Sequence, residues 1–301
     1  EYTVPEPVLH LAFELGQAKW KLGFTTGLGQ RPRERTTAAR DLGAVEQEIS
    51  RAKERFGLAP GVPVVSCYEA GREGFWLHRY LVAQGITSHV VDSASIEVNR
   101  RRRRAKTDRL DVGKLLWQLV RYRAGERKVW SVVHVPTEAA EDQRQLHREL
   151  LAAKRDRARV TNRIKGLLAN QGVVLEVAGD FLGQLDQVRL WDARALPVAL
   201  RARLEREWAK VELLTGQIRV LEAERQEALR TVADPVVDRV RQLLLLRGIG
   251  INSAWLYVME FFGWRQFRNR REVGALAGLT PTPYQSGEAS REQGIAKAGN
   301  R

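Results

Sequence analysis

The segment KTDRLD at residues 106–111 contains two aspartates, Asp108 and Asp111, that are three positions apart. The pattern predicts a helix that begins near Thr107, and side chains three positions apart in a helix lie on the same face. The two carboxylates could therefore bind one metal ion. Acids in a first helical turn also complement the positive end of the helix dipole, and the spacing alone leaves both interpretations open.

Two glutamates are predicted to end strands of one sheet. Glu14 closes the apolar run that starts at Val8, and Glu69 closes the valine-rich run that starts at Val62. Ligands of open α/β sheets gather at strand ends, so these acids are expected near the aspartate pair. Four carboxylates without cysteine or much histidine favour a hard cation, Mg²⁺ or Mn²⁺. Two such ions can activate a water or hydroxyl and stabilise the leaving oxygen at a phosphodiester.

Alternating strands and helices are predicted over the first 122 residues, which indicates an α/β domain with a partly parallel sheet. The predicted strands are Val8–Glu14, Trp20–Phe24, Val62–Glu69 and Ser88–Val91, and the predicted helices are Ala38–Phe56, Phe75–Gln84 and Thr107–Tyr122.

A long helical arm is predicted after Pro136, where Thr137 can cap a helix. Two series of apolar residues follow heptad spacing. They are Leu146, Leu150, Ala153, Val160, Ile164 and Leu167, and then Leu204, Val211, Leu214, Ile218, Leu221 and Ala228. Arg157 interrupts the first series, and Gly172–Pro197 connects the two. An antiparallel helical hairpin would bury both series, either as a structural spacer or as a dimerisation arm.

The charge balance favours a polyanionic partner, because 50 Lys and Arg stand against 36 Asp and Glu in 301 residues, a net charge of +14. Nucleic acid is the leading candidate. The run Arg100–Arg104 and Lys106 directly precede the aspartate pair and could guide phosphates toward a metal, although charge runs are also common in solvated loops. No apolar run approaches the roughly 20 residues that cross a bilayer.

The segment Leu243–Gly250 ends in two glycines, Gly248 and Gly250, and leads into a helix predicted from about Asn252 to Phe262. Such a turn can bring backbone amides close to a phosphate, as helix-hairpin-helix modules do. Two close glycines also occur where the chain simply makes a tight turn, so the motif by itself decides nothing.

The single cysteine and the first and last residues limit which kinds of site and protein class the sequence allows. Cys67 alone can build neither a disulfide nor a thiolate zinc site within one chain. The first residues, which begin with Glu1, show no export signal. Because no initiator methionine is present and the sequence stops abruptly at Arg301, we expect a trimmed protein.

Several segments taken together resemble one family. Glu69 after its valine-rich strand is followed, in order, by KTDRLD at 106–111, RGIG at 247–250, AGLTPTPYQSG at 277–287 and GIAKAGNR at 294–301. This series is similar to that of the DEDD transposases of bacterial insertion sequences that use a bridge or seek RNA. The resemblance spans nearly the whole chain, and the combination is far more specific than any one segment.

The resemblance implies a fold of class α/β plus all-α. A RuvC-like, ribonuclease H-type catalytic domain would occupy residues 1–130. A helical coiled-coil or dimerisation segment would follow at 137–235, and a mainly helical C-terminal transposase domain, with the helix-hairpin-helix-like turn and a truncated end, at 240–301.

The resemblance also implies a catalytic set in which four acids bind Mg²⁺ and a serine acts as nucleophile in DNA strand exchange. By motif, Glu69, Asp108 and Asp111 match the second, third and fourth acids, and Ser286 matches the serine. Glu14 stands where the family usually has aspartate. Without the resemblance, Ser286 would be interpreted as a turn residue beside Gly287, since no histidine lies near it in sequence.

The implied partners are double-stranded DNA, a structured bridge or seek RNA as guide, and further copies of the chain in a dimer or tetramer, without a membrane. The implied location is the bacterial cytoplasm, at the nucleoid. The residues predicted to contact nucleic acid are Arg100, Arg101, Arg102, Arg103, Arg104, Lys106, Arg109, Gly248, Gly250, Arg291 and Lys297, with Arg301 as a further candidate.

Two other functions fit parts of the same sequence. The first is a RuvC-like junction nuclease, in which metal-bound water does all the cutting and Ser286 is incidental. The second is a non-catalytic scaffold that binds nucleic acid through Arg100–Arg104 and oligomerises through its long helices. The nuclease would form no covalent link to DNA, and the scaffold would not need Asp108 or Asp111.

Overall fold

The computed structural model describes residues 6–96, 108–286 and 289–295, and its description of side chains excludes residues 108–111, 282–286, 289 and 293. The chain divides into two compact units, Glu1–Val135 and Pro136–Arg301. In the described part, no helix is both long and apolar enough to cross a membrane.

The first unit is built on a five-stranded mixed sheet, which confirms the predicted α/β class with a partly parallel sheet. Its strands are β1 (Leu9–Leu15), β2 (Lys19–Thr25), β3 (Arg33–Ala38), β4 (Val64–Glu69) and β5 (Thr87–Val91), in the order β3-β2-β1-β4-β5. β1 pairs antiparallel with β2, and β2 antiparallel with β3, whereas β1, β4 and β5 run parallel.

Helices cover both faces of this sheet, because successive strand residues point to opposite sides. Leu9, Leu11 and Phe13 of β1 lie in the core that packs against α1 (Leu42–Arg55) and α2 (Trp76–Ala83). Ala12 lies in the opposite core, beneath α3 (Asp108–Arg123). The sheet therefore forms the middle layer of three.

The predicted helix Ala38–Phe56 begins later than expected, because residues 33–38 form the edge strand β3. This segment consists mainly of charged residues and threonines and shows no apolar periodicity. The β-branched Thr36 and Thr37 nevertheless suit an edge strand, which pairs on one side only. Asp41 caps α1 by accepting a hydrogen bond from the backbone N–H of Ala44 at 3.0 Å.

The second unit consists of helices followed by one β-hairpin. The helices are α4 (Glu138–Gln143), α5 (Gln145–Ala169), α6 (Phe181–Gln187), α7 (Val198–Thr231), α8 (Pro235–Leu244), α9 (Ile251–Leu256) and α10 (Arg270–Leu276). α9 continues into a π-helical turn at Tyr257–Phe262. The hairpin, formed by β6 (Pro281–Ser286) and β7 (Ala289–Ile295), is absent from the sequence prediction of a mainly helical C-terminal domain.

The predicted antiparallel hairpin of two long helices is confirmed in α5 and α7. Leu150 near the start of α5 packs with Leu221 near the end of α7, and Ile164 near the end of α5 packs with Leu204 near the start of α7. Lys154 pairs with Glu222 at 2.6 Å, and Arg163 with the buried Glu207 at 2.8 Å. The connection Gly172–Pro197 contains the unpredicted α6, whose Phe181 ring lies 5.0 Å from the Trp208 ring.

A buried ion cluster joins the start of α5 to the π-helical turn. Glu260 accepts hydrogen bonds from Arg144 at 2.5 Å and Arg148 at 3.1 Å, and the Arg144 guanidinium stacks over Trp264. Burial would raise the pKa of Glu260, but these two arginines lower it overall. The glutamate is therefore ionised in the folded protein and holds the arm against the C-terminal segment.

Replacing Glu260 with Gln is expected to lower the free energy of unfolding by about 3–5 kcal/mol, because it leaves the buried Arg144 without a counter-charge. Urea unfolding followed by tryptophan fluorescence measures this loss. The matched control is Glu227→Gln, whose exposed pair with Arg230 at 3.8 Å is worth well under about 1 kcal/mol. Equal stability of the two variants would contradict the prediction.

Candidate active site

Glu14 and Glu69 lie side by side at the ends of two neighbouring parallel strands. The register of β1 and β4 pairs Phe13 with Tyr68, and the two glutamates are the next residues of their strands. Both line one cleft of about 110 Å³. Glu69 is exposed and Glu14 is half-buried. The structure thus brings together the two acids that the strand-end argument placed at the same edge of the sheet.

Strand alternation places both acids on the α3 side of the sheet. Glu14 follows Ala12 by two residues and Glu69 follows Cys67 by two, and both of those residues are buried in the core beneath α3. The register of β1 and β2 sets Lys21 directly opposite Glu14. A lysine as cross-strand neighbour offsets part of the repulsion that two adjacent carboxylates would otherwise feel.

The neighbours of residues near the two ends of α3 indicate that it runs antiparallel to β1 and starts at the end of the sheet where these acids lie. Val112 packs closely over Gly23, where an added Cβ would come within 3.2 Å of Val112 Cγ2, and Gly23 pairs with Ala12. Burial lowers the pKa of His10, near the start of β1, and the charge of Arg123 at the other end of α3 lowers it further.

The backbone of Asp108 and Asp111 therefore begins α3 near the level of Glu14. Asp108 precedes Val112 by four helical residues, a rise of about 6 Å, and Glu14 follows Ala12 by two strand residues, a rise of nearly 7 Å. Among the side chains that the structure describes, no three His, Cys, Asp or Glu are grouped closely enough to hold a metal. That search does not include the side chains at 108–111.

The cleft contains a further acid, Glu73, that sequence reasoning missed. Its carboxylate is buried, where it accepts hydrogen bonds from Arg40 at 2.5 Å and Trp76 at 3.4 Å. These contacts fix the loop after β4 and identify Glu73 as a structural neighbour of the site. Its segment Gly71-Arg72-Glu73-Gly74 has the composition of an ordinary loop and gave no signal.

Ser286 is the last residue of β6, where its backbone pairs with Ala289 of β7. Arg291, exposed on β7, pairs with Tyr284 two residues before the serine. The predicted phosphate contact at Arg291 therefore lies on the same hairpin as the predicted nucleophile. Both belong to the second unit, whereas the four acids belong to the first.

The turn between α8 and α9 contains Gly248 and Gly250. Gly248 has φ +90°, a conformation that L side chains rarely adopt, so a glycine is required there. Arg225 of α7 donates hydrogen bonds to the backbone carbonyl of Ile251 and to Asn252 Oδ1, and its guanidinium stacks over Trp255. The turn is thereby held firmly against the long helix.

The remaining predicted nucleic-acid contacts lie at positions whose side chains are outside the described part of the structure. Arg109 lies within α3, in the stretch whose side chains are not described. The other positions lie outside the described residues: Arg100, Arg101, Arg102, Arg103, Arg104, Lys106, Lys297 and Arg301.

Comparison with known proteins assigns the chain to the transposases. It is 40% identical to the transposase y4rJ of Sinorhizobium fredii over 97% of this chain and 76% of that protein. It is 31% identical to a family 20 transposase of Pseudomonas aeruginosa, over 56% of this chain and 50% of that protein. A transposase for insertion sequence element IS1328 of Yersinia enterocolitica is 29% identical, over 56% of this chain and 49% of that protein.

The particular family follows from the C-terminal segment. Residues 240–301 match the model of the transposase IS116/IS110/IS902 family. Together with the relative that aligns over nearly the whole chain, this match shows that the chain belongs to that family. The matched segment includes the Gly248–Gly250 turn and the β6–β7 hairpin with Ser286.

Proposed function

We propose that this transposase is an RNA-guided DNA recombinase, in which a RuvC-like, ribonuclease H-type acidic site and a serine act together in strand exchange. The observation that carries the proposal is the adjacency of Glu14 and Glu69 on the face that α3 covers, with α3 beginning at the same end of the sheet. The order β3-β2-β1-β4-β5 is compatible with the ribonuclease H-type domain that the sequence resemblance implies.

Glu14, Glu69, Asp108 and Asp111 are proposed to hold Mg²⁺ or Mn²⁺. Their oxygen donors suit a hard cation, and adjacent carboxylates need positive charge to relieve their repulsion. When bound, the metal would increase the nucleophilicity of a hydroxyl and stabilise negative charge on the leaving oxygen. Lys21, opposite Glu14, would offset part of the negative charge of the acidic site when no metal is bound.

Ser286 is proposed as the nucleophile that attacks the phosphorus of a DNA strand. Its hydroxyl oxygen forms a new bond to phosphorus while the bond from phosphorus to the DNA oxygen breaks. The serine proton ends on that DNA oxygen, which departs as the hydroxyl of the released strand end. The phosphoserine ester keeps the number of phosphoester bonds constant, so a strand hydroxyl can later displace the serine without another energy source. This requires the serine hairpin and the acidic site to meet in the assembled enzyme.

Most of the proposed nucleic-acid contacts lie near these two centres in sequence. Arg100–Arg104, Lys106 and Arg109 precede or begin α3, next to the proposed metal ligands in sequence. Arg291 shares the hairpin of Ser286, and Lys297 follows it closely. The Gly248 and Gly250 turn would present backbone amides to a phosphate. Such contacts position DNA and carry no sequence information, which a guide RNA would supply.

The chain is further proposed to act as a dimer or tetramer through α7. The face of α7 opposite its buried seam carries Ala209, Leu213, Gly216, Val220 and Ala223, which follow alternating spacings of three and four. Leu213 and Val220 on this face are 63% and 58% exposed. A second copy of the arm would cover these apolar residues.

The guide is tested by purifying the full-length protein from its native host and sequencing the RNA that accompanies it. We expect one discrete, structured RNA in amounts comparable to the protein, in the cytoplasmic nucleoid fraction. An unrelated host protein of similar positive charge, purified in parallel, controls for nonspecific RNA. A mixture like that of the control would contradict RNA guidance and leave the metal and serine proposals standing.

A further inference from the structure

The two helices of the arm differ in the side chains that they turn to solvent. α5 contains seven basic residues and two acidic ones, whereas α7 contains seven basic and six acidic residues. The face of α5 opposite its buried residues carries Arg148, Ala152, Arg155, Arg159, Asn162 and Gly166, at spacings of three, four and seven. We call these six residues the basic stripe of α5.

The three arginines of the basic stripe keep a net positive charge, because among the described residues only two of them pair with an acid and one of those acids is shared with Arg144. Arg159, whose side chain is 70% exposed, pairs with Asp156 at 3.0 Å. Arg148 is 55% exposed and shares Glu260 with the buried Arg144. Arg155 is exposed, and within the described part of the chain it has no ion pair. The stripe itself contains no acidic residue.

The dimensions of the basic stripe suit the backbone of a nucleic-acid duplex. From Arg148 to Asn162 the helix rises about 21 Å, a length over which double-stranded DNA carries about twelve phosphates. Ala152 and Gly166 have small side chains, so that a sugar-phosphate backbone can approach the helix closely. Asn162 adds a neutral hydrogen-bond donor of the kind that contacts phosphates.

We propose that the basic stripe of α5 binds the phosphate backbone of double-stranded DNA, so that the arm is a DNA-contacting element as well as a connector. The face of α7 opposite its buried seam is apolar, whereas that of α5 is basic. The two helices therefore suit two different partners, which favours this assignment. The inference rests on the assignment to the transposases and needs neither the metal ligands nor Ser286.

The test compares two double variants of the full chain that remove the same charge. Arg155→Gln with Arg159→Gln neutralises the stripe, and Arg203→Gln with Arg206→Gln neutralises two exposed arginines of α7. Glutamine and arginine have similar helix propensities, so both variants are expected to fold, which thermal unfolding checks. Binding to a fluorescent 30-base-pair DNA duplex of arbitrary sequence is measured by anisotropy in EDTA, across a salt titration.

We expect the stripe variant to bind DNA at least about tenfold more weakly at 100 mM salt. The slope of log K against log salt concentration should become shallower by nearly two, because each lost phosphate contact removes about 0.9 from it. The α7 variant should bind within about twofold of the unmodified chain. Equal weakening by both variants, or no weakening by the stripe variant, would overturn the proposal. Weakening confined to the same duplex made as RNA would overturn the assignment to DNA.

The EDTA condition separates this inference from the catalytic proposal. A protein with Asp108→Asn and Asp111→Asn should bind the duplex like the unmodified chain, because the stripe contains neither aspartate and needs no metal. If the stripe variant binds normally while strand exchange still requires the aspartates, the stripe proposal fails and the catalytic proposal survives. If the stripe variant binds DNA weakly while strand exchange does not require the aspartates, the catalytic proposal fails and the stripe proposal survives.

Discussion

Changing Asp108 and Asp111 together to Asn is expected to reduce Mg²⁺-dependent DNA cleavage by at least about 10³-fold, which corresponds to about 4 kcal/mol of lost transition-state stabilisation. Asparagine keeps the shape and the helix-start preference of aspartate but removes the charge that a hard cation needs. DNA binding should persist, because the basic surfaces are untouched. Single-turnover cleavage of labelled element-end DNA measures the loss.

The matched control for this variant is Asp41→Asn in the same α/β unit. Asp41 caps α1 with its side chain, a role that asparagine performs equally well, so its activity should equal that of the unmodified chain. If the Asp108 and Asp111 variant cleaves and exchanges strands at the rate of this control, the acids are not metal ligands. The scaffold interpretation would then become the better account.

Changing Ser286 to Ala is expected to abolish the covalent attachment of DNA to protein and, with it, strand joining. The alanine lacks the oxygen that would bond to phosphorus, while the β6 backbone can keep its pairing with Ala289. Labelled DNA that stays on the protein in denaturing gels reports the linkage, and mass spectrometry of the digested adduct maps it.

Ser290→Ala is the matched control, since Ser290 is exposed on the facing strand and pairs with Gln285. It should retain the linkage in full. A Ser286→Ala protein that cuts and joins normally would exclude the nucleophile. Cleavage without joining and without a covalent adduct, in both variants and in the unmodified chain, would instead support the junction nuclease.

The elements that sequence patterns predicted well are those with strong apolar periodicity. β1 and β4 are nearly continuous apolar runs, and the seams of α5 and α7 repeat with heptad spacing, so burial dictates both kinds of element. β3 was missed because an edge strand pairs on one side and tolerates charged residues. α6 and the β6–β7 hairpin were missed because their short segments are rich in Gly, Pro and polar residues.

The same physical reasons limit the prediction of the site. Glu14 and Glu69 could be placed together because parallel strands end at one edge of the sheet. Glu73 could not, since its burial depends on Arg40, which is 33 residues away in sequence. The basic stripe of α5 became visible once the buried face of that helix was known, because seven basic residues in a sequence do not reveal which of them face solvent.

The proposed metal site can be tested by replacing Mg²⁺ with Fe²⁺ and mapping where the bound iron cuts the chain. In the presence of ascorbate and oxygen, iron at the proposed site generates radicals that cleave nearby backbone, and mass spectrometry locates the cuts. Iron bound by the four acids should produce cuts near residues 14, 69 and 108–111 that excess Mg²⁺ suppresses and that the Asp108→Asn, Asp111→Asn protein lacks. Cuts elsewhere, or cuts at these positions that persist in that variant, would contradict the proposed metal site.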